Sequence, residues 1–563
     1  MSLLRSRSRI ARAGAVLLAA TAAAVTLRDA PAEPAGFAAS RRDLGDLIVL
    51  EVGGTYEEMG RQQADLLGDD LRRVYAVQRR DHEAAVAHGG LGDRVLDAVG
   101  IPLWSGIGGH FEDSHFHEEL AGMAEGLGVP RRDLMRALLA LGGGSTVFAA
   151  TRSATADGQA LIGRNVDWDD ALGARRPVVV RLHPTNGDLE HLFVGWPLVG
   201  LPTVGVNEAG FALSFNYFET DPQVGMWLPQ WPHRRALQTA RSVEEGIQIF
   251  LRARERGISS FMVMADAAGN LAMVECSPSH CAVFRPDGDW FGQANHARTP
   301  EMIPFDRYRS PDSFDRRAGI EHAVERHLGA LAPEAAAEVL RDRATHPWPN
   351  ASNVANLSVL NAAIVHPASR TLWHSTTMQP EAPFGAYAGF TLDANAPPPA
   401  TIAASPLLAS DTLMRERAAV AKARAALHAL FEERPAEARA GFDALLAETP
   451  PALDPLRLSI GAAAARFELE EFAGAAELLA ASSAEPAPAD VRIYALSLRA
   501  LCADRLGHRE EAASLHRATL AVIDAHPEWN VFEKVAALAR EGSERALVGR
   551  KPEFSYYVLG LPF

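Results

Sequence analysis

The pattern of apolar and polar positions divides the chain into stretches of different period. Leu47 to Val52 reads as a strand, and Tyr56 to about His88 as one long helix. Two further helices are expected, from about Phe116 to Gly126 and from Arg131 to Leu141, the second opened by Pro130. Gly142-Gly143-Gly144 then stops the helical pattern. From Ser145 the period becomes that of strands: Thr146 to Ala150, Ala160 to Val166, Pro177 to Leu182, His191 to Trp196 and Gly205 to Phe218. Helices are expected at Trp231 to Ala240 and Val243 to Arg254. Strands follow at Ser260 to Met264, Leu271 to Glu275, Ala282 to Phe284 and Trp290 to Ala294. Helices at Ser313 to Leu328 and Pro333 to Arg341 precede closing strands around Leu357 to Val365 and Thr371 to Ser375. Grouped strands and grouped helices predict an α+β layered fold rather than a strictly alternating sheet.

Ala396 to Pro406, with Pro397-Pro398-Pro399, reads as a linker, and the chain beyond about Ser410 is rich in alanine and leucine and helical. Leu469 to Leu478 recurs in weakened form as Leu506 to Leu515. The second copy resembles a tetratricopeptide repeat at its Leu-Gly and Ala-Ala positions. Residues 409–563 are therefore read as a helical-repeat module that binds a protein partner or packs on a neighbouring domain. An irregular helical bundle is the alternative.

Composition narrows the function. The chain has 563 residues, 48% hydrophobic and 22% charged, so it holds more than one domain. Its formal net charge of −15 argues against a nucleic-acid binder. Lysine occurs only at Lys422, Lys534 and Lys551, so the first three quarters contain no P-loop lysine and no Schiff-base lysine.

Arg5, Arg7, Arg9 and Arg12 precede a short apolar stretch from Ala13 to Leu27, and Ala30-Pro31-Ala32 offers a cleavage site. Residues 1–32 therefore read as an export signal of a periplasmic or secreted protein. The alternative is an uncleaved segment that anchors the chain to a membrane. Cys276 and Cys281 flank a four-residue turn between two expected strands, a spacing that suits either a hairpin disulfide or two free thiols. Cys502 lies in a helical pattern as a small core residue.

Familiar catalytic motifs fail one by one. His117-Glu118-Glu119-Leu120-Ala121 lacks the second histidine of a zinc-protease helix, and no Gly-x-Ser-x-Gly elbow surrounds Ser145. No metal or organic cofactor is implied. What remains is a hydroxyl residue, Ser145, that begins a strand after three glycines. A serine there could attack the carbonyl before it and so become a new N-terminus. Its freed α-amine would then serve as base for its own hydroxyl. A plain loop serine is the alternative on this feature alone. Asn165 and Asp167 would share one face of the next strand, with Arg164 on the other. Asn207 and Asn295 stand at strand ends, where an asparagine amide can donate to an oxyanion.

The ordered set of motifs resembles the N-terminal nucleophile hydrolases of the penicillin acyltransferase type, relatives of choloylglycine hydrolases and acid-ceramidase-like amidases. The resemblance covers roughly residues 45–392. It rests on Gly54 to Gly60, Glu118 to Gly126, Ser145-Thr146-Val147-Phe148-Ala149, Asp157-Gly158, Gly163 to Trp168, Gly205 to Gly210, Ala294-Asn295-His296 and Ser313 to Arg316. It implies a four-layer αββα fold, autocatalytic cleavage before the nucleophile, and acyl transfer or hydrolysis at an amide. On it, 33–144 is a helical propeptide or small chain, 145–395 the αββα core and 396–408 the linker to the helical module. It also implies Ser145 as nucleophile, Arg164 and Asp167 as its positioning groups, Asn295 with Asn207 at the oxyanion, and His296, Arg316 and Trp168 at the substrate. The family has cysteine where this chain has Ser145, and a serine hydroxyl depends more heavily on its base than a thiol does.

The substrate expected is a small acylated amine or amide. An ester or phospholipid deacylase of the same fold, and a catalytically silent exported binding protein, are the alternatives.

Overall fold

In a computed structural model, the structure describes residues 37–88, 98, 115–137, 144–167, 176–220, 231–253, 259–345 and 350–552. The expected export signal, Gly142, Gly143 and Trp168 lie outside the described residues.

The first sheet has nine strands in the order β1-β2-β5-β6-β7-β8-β9-β10-β11. They are β1 (Ser40–Leu44), β2 (Leu47–Gly54), β5 (Val178–Pro184), β6 (His191–Trp196), β7 (Val199–Asn207), β8 (Phe211–Tyr217), β9 (Ser260–Asp266), β10 (Leu271–Cys276) and β11 (Cys281–Phe284). Only β2 and β5 run parallel; the other pairs are antiparallel. The second sheet is antiparallel, in the order β12-β3-β4-β13-β14-β15. Its strands are β3 (Gly144–Ala150), β4 (Leu161–Asp167), β12 (Trp290–Gln293), β13 (Val359–His366), β14 (Thr371–Ser375) and β15 (Tyr387–Thr391).

Strand alternation builds the layers. Val147, Ala149, Ile162, Ala363 and Val365 of the second sheet pack with Val204, Val206, Val263 and Ala265 of the first. The residues between them turn outward. Phe148, Ala150, Ala362 and Ile364 pack under α7 (Pro311–Glu325) and α8 (Pro333–Leu340). Phe211, Leu213, Met262 and Met264 pack under helices α1 (Tyr56–Leu67), α2 (Asp69–His88), α3 (Phe116–Leu127), α4 (Arg131–Ala137), α5 (Trp231–Thr239) and α6 (Val243–Arg252). The order helix, sheet, sheet, helix is thus a consequence of which side chains each strand sends to which face.

Glycine explains two of the sequence motifs. A Cβ on Gly60 would stand 2.0 Å from the Glu119 carbonyl oxygen, and one on Gly122 would stand 1.9 Å from that of Glu57. The backbones of α1 and α3 touch, and only glycine allows it. Thr55 caps α1 in a reciprocal box with Glu58.

Three expectations are corrected. The single helix from Tyr56 to His88 is two helices, broken at Gly68, whose φ of 49° no helix interior accepts. The single strand from Gly205 to Phe218 is β7 and β8, joined by a tight turn at Gly210 with φ of 78°. The segment before Ser145 is not only helical, since β1 and β2 belong to the nine-stranded sheet. Cys276 and Cys281 are joined as a disulfide across the β10–β11 hairpin, and Cys502 is buried.

The C-terminal helices are α9 (Asp411–Phe431), α10 (Pro435–Glu448), α11 (Pro455–Glu468), α12 (Phe472–Leu478), α13 (Ala489–Arg505), α14 (Arg509–Asp524) and α15 (Glu533–Glu544). Each packs on the next. The two copies of the weak repeat fall at matching places, the turn and second helix of α11–α12 and of α13–α14. This module shares one compact unit with the layered core. Ala355, Leu357 and Phe384 from the core are buried among its side chains. Among the described residues, no helix is long and apolar enough to cross a membrane.

Candidate active site

Ser145 lies at the start of β3, opposite Val166 on β4, with Val147 opposite Arg164. Residues directly opposite in an antiparallel ladder share a face, as do alternate residues of one strand. Ser145 and Arg164 therefore point between the sheets, while Gly144, Asn165 and Asp167 belong to the face toward α7 and α8.

Arg164 Nη2 donates to Ser145 Oγ at 2.8 Å, and its Nη1 donates to the Thr203 carbonyl on β7. The guanidinium is buried, and burial pushes it down to about 9 against the opposing pull of Asp167. It remains a cation at neutral pH, aimed at the serine oxygen.

Asn295 follows β12 and holds the serine nitrogen. Its Oδ1 accepts from Ser145 N at 2.8 Å and from Arg316 Nη1 at 2.9 Å. Two donors converging on one atom fix it as the oxygen. Its Nδ2 donates to the Tyr217 carbonyl at 2.6 Å, and its backbone N–H donates to Ser313 Oγ at 2.8 Å.

Arg316, on α7, draws these parts together. Its Nη1 lies 2.8 Å from the Ser145 carbonyl, 3.2 Å from Thr146 Oγ1 and 3.3 Å from Asp167 Oδ2, besides the bond to Asn295. With two hydrogens on that nitrogen, these four acceptors share it. Its Nη2 donates to Asp312 Oδ2 at 3.2 Å, one helical turn earlier. Asp167 also accepts from Asn356 Nδ2 at 3.2 Å. Burial pushes the Asp167 carboxyl above its usual range, and Arg316 pulls it back.

Three expected residues stand elsewhere. Asn165 donates to the carbonyls of Leu340 and Val354, tying β4 to the helix layer. Asn207, at the far end of β7, donates to the carbonyls of Leu237 and Ala240 and accepts from the backbone N–H of Ala209 and Phe211. Both amide hydrogens are thus spent on the end of α5 and the amide oxygen on the turn into β8, so none is left for an oxyanion. His296 is buried behind Asn295, paired through Nδ1 with Ser313 Oγ at 2.8 Å and stacked on Phe314. Burial, with arginines around it, holds its ring well below the usual histidine range, so it is neutral.

A pocket of about 350 Å³ opens beside this cluster, lined by Gly144, Asp167, Asn295, Arg316 and Asn356 together with Tyr217 and Tyr308. Ser145 is itself buried, directly behind Gly144. Sequence reasoning did not single out Asn356 or Asp312. The signal was there: Asn350, Asn353 and Asn356 recur every third residue in a polar loop before β13. Among the described residues, no three histidine, cysteine or acidic side chains gather as a metal site.

Residues 154–377 match the family model described as acyl-coenzyme A:6-aminopenicillanic acid acyl-transferase. The matched range contains Arg164, Asp167, Asn295 and Arg316; Ser145 lies just before it. No curated protein matches the chain. Solved structures that resemble it include the Caenorhabditis elegans ortholog of N-acylethanolamine-hydrolyzing acid amidase, at 15% identity and a TM-score of 0.32, over 40% of this chain and 93% of that one. Penicillin V acylase from Agrobacterium tumefaciens has 12% identity and a TM-score of 0.27, over 42% and 84%. A mutant of the conjugated bile acid hydrolase from Clostridium perfringens has 12% identity and a TM-score of 0.28, over 41% and 88%.

Proposed function

We propose that the chain is a self-processing amide hydrolase or acyltransferase with Ser145 as its nucleophile. The observation that carries this is the pair of contacts on one residue: a buried guanidinium on Ser145 Oγ and the Asn295 oxygen on Ser145 N. The family match to an acyl-transferase model supports the reaction class.

Processing starts at Gly144. Ser145 Oγ attacks the Gly144 carbonyl carbon, the C–N bond breaks, and the serine nitrogen takes up the hydroxyl proton. Water then hydrolyses the ester, leaving a Gly144 carboxylate and a Ser145 α-amine. The amine inherits the bond to Asn295 Oδ1. Loss of Gly144 uncovers the serine to the pocket that Gly144 now lines.

In turnover the neutral α-amine takes the proton from Oγ as Oγ attacks the substrate carbonyl. Arg164 stabilises the charge that builds on Oγ, in a site with little water to screen it. The amine proton passes to the leaving nitrogen, and water or a second amine then removes the acyl group. Asn295 has one further Nδ2 hydrogen for the substrate oxyanion, beside the one given to Tyr217. Arg316 and Asp167 hold Asn295 and the Ser145 carbonyl in place.

Ser145→Ala tests the proposal. It is expected to leave an uncut chain without amidase activity; an active or still-processed Ser145→Ala chain would overturn it.

A further inference from the structure

The C-terminal helical module reaches the cluster around Ser145 at two places. The first is Asn530, in the segment between α14 and α15. Its Oδ1 accepts from Arg309 N at 2.7 Å, its backbone N–H donates to the Arg309 carbonyl at 3.2 Å, and its Nδ2 donates to the Asp306 carbonyl at 2.8 Å. One residue of the module thus pins the segment from Asp306 to Arg309.

That segment holds the residues that follow Asn295. Arg309 Nε donates to the Glu528 carbonyl of the module at 2.9 Å, and its Nη1 donates to the Ala297 carbonyl at 2.9 Å. A planar fork suits this, since its two donors reach the module and the site together. Asp306 Oδ2 accepts from Ala297 N at 2.7 Å. Ala297 is therefore held at both its N–H and its carbonyl, two residues after the asparagine whose oxygen accepts from Ser145 N. The Arg309 guanidinium also lies over the Phe314 ring, 5.2 Å from its centre, and Phe314 stacks on His296.

The second place is the loop before β13. Ala355 and Leu357 are buried among the side chains of the module, and Asn356 between them donates to Asp167 Oδ1 at 3.2 Å. Asn295 and Asp167 are two of the residues that Arg316 Nη1 joins. The module therefore holds both ends of that junction.

We infer that the helical module positions Asn295 on Ser145 through Asn530 and Arg309, and that these two are positioning residues for the reaction. The effect on catalysis rests on the assignment of Ser145 as nucleophile. The inference makes the module a component of the site rather than only a surface for a partner.

The test uses the full chain. Asn530→Ala deletes two of the bonds from the module and spares the Arg309 side chain. Two readouts are taken: hydrogen exchange of the backbone from Asn295 to Ala297 by mass spectrometry, and kcat and KM on an N-acyl amide well below the unfolding temperature. Exchange there is expected to quicken at least about tenfold, with β9 unchanged, since the segment loses its anchors and the fold does not. kcat should fall at least about fivefold with KM within about twofold, because a small misplacement of a reacting group is heavily penalised. Arg309→Lys should behave alike, as a lysine reaches only one of the two carbonyls. In an Asn295→Ala background, Asn530→Ala should change kcat by less than about twofold, the mark of one residue acting through another. Lys422→Ala, which breaks an exposed pair with Glu448 inside the module, should move neither readout. Unchanged exchange in Asn530→Ala, an unchanged kcat, or an equal loss of kcat in the Asn295→Ala background would overturn the inference. Faster exchange in a chain that neither cuts itself nor hydrolyses amides leaves the hold on Asn295 standing and counts against the catalytic assignment; an active chain with unchanged exchange does the reverse.

Discussion

Arg164 and Ser145 stand on adjacent strands, on the same face, with the guanidinium donating to the serine oxygen at 2.8 Å. A cation so buried is costly unless its donors are used. Two are used here, on Ser145 Oγ and the Thr203 carbonyl. Lysine offers no planar fork and cannot span both acceptors in that geometry. Arg164→Lys is therefore expected to lower kcat at least about a hundredfold, the size of effect seen when one preorganised oxyanion donor is removed. Steady-state kinetics on an N-acyl amide check this; a loss below about threefold would remove Arg164 from the mechanism.

Gly144 gives a prediction about processing alone. A Cβ there would lie 3.2 Å from Asp167 Cβ and 3.3 Å from its Oδ2. Gly144→Val adds two more carbons to that crowding. It should slow self-cleavage at least about tenfold on the electrophoretic time course, since misplacing the attacked carbonyl is heavily penalised. Cleavage at the ordinary rate would mean that Gly144 is not held against Asp167 when it reacts.

The pH dependence follows from Asp167. Its carboxyl is raised by burial, so it takes up a proton at a higher pH than an ordinary aspartate. Protonation removes the counter-charge that holds Arg316, and activity should fall on the acid side of that raised value. Stability moves the other way for this group. The folded state binds its proton more tightly than the unfolded state does, so its contribution to stability grows as pH falls through the raised value. Asp167→Asn is expected to lower activity throughout and to flatten the acid limb. An acid limb unchanged in Asp167→Asn would assign that limb to another group.

The contact of α1 with α3 should be sensitive to one methyl group. Gly122→Ala sets a Cβ against the Glu57 carbonyl. Backbone cannot yield there as a flexible side chain would, so urea unfolding should show a loss of about 1–3 kcal/mol or more. A neutral Gly122→Ala would show that the helices slide apart without cost.

The layered core was legible because its strands are short apolar runs, buried on both faces and bounded by turn residues, and β6 and β14 appear where the pattern puts them. Errors came where period alone carries no stop signal. Gly68 and Gly210 each end an element by taking a positive φ, which an apolar count does not register. The cluster of Ser145, Arg164, Asp167, Asn295 and Arg316 was readable as an ordered set of motifs, and the fold brings these five together. Asn207 was misread because an asparagine at a strand end serves a turn as well as an oxyanion. Only its four hydrogen bonds tell the two apart. Asn356 was missed because its position beside Asp167 depends on a long-range packing of Ala355 and Leu357 into the helical module.

The central claim is that Ser145 cuts the chain before itself and then works from its new terminus. Intact mass and N-terminal sequencing of the purified protein test it most directly. The account predicts two fragments, the larger beginning at Ser145, and a single uncut chain for Ser145→Ala. A wild-type chain that stays whole across Gly144 and Ser145, yet hydrolyses amides, would contradict it.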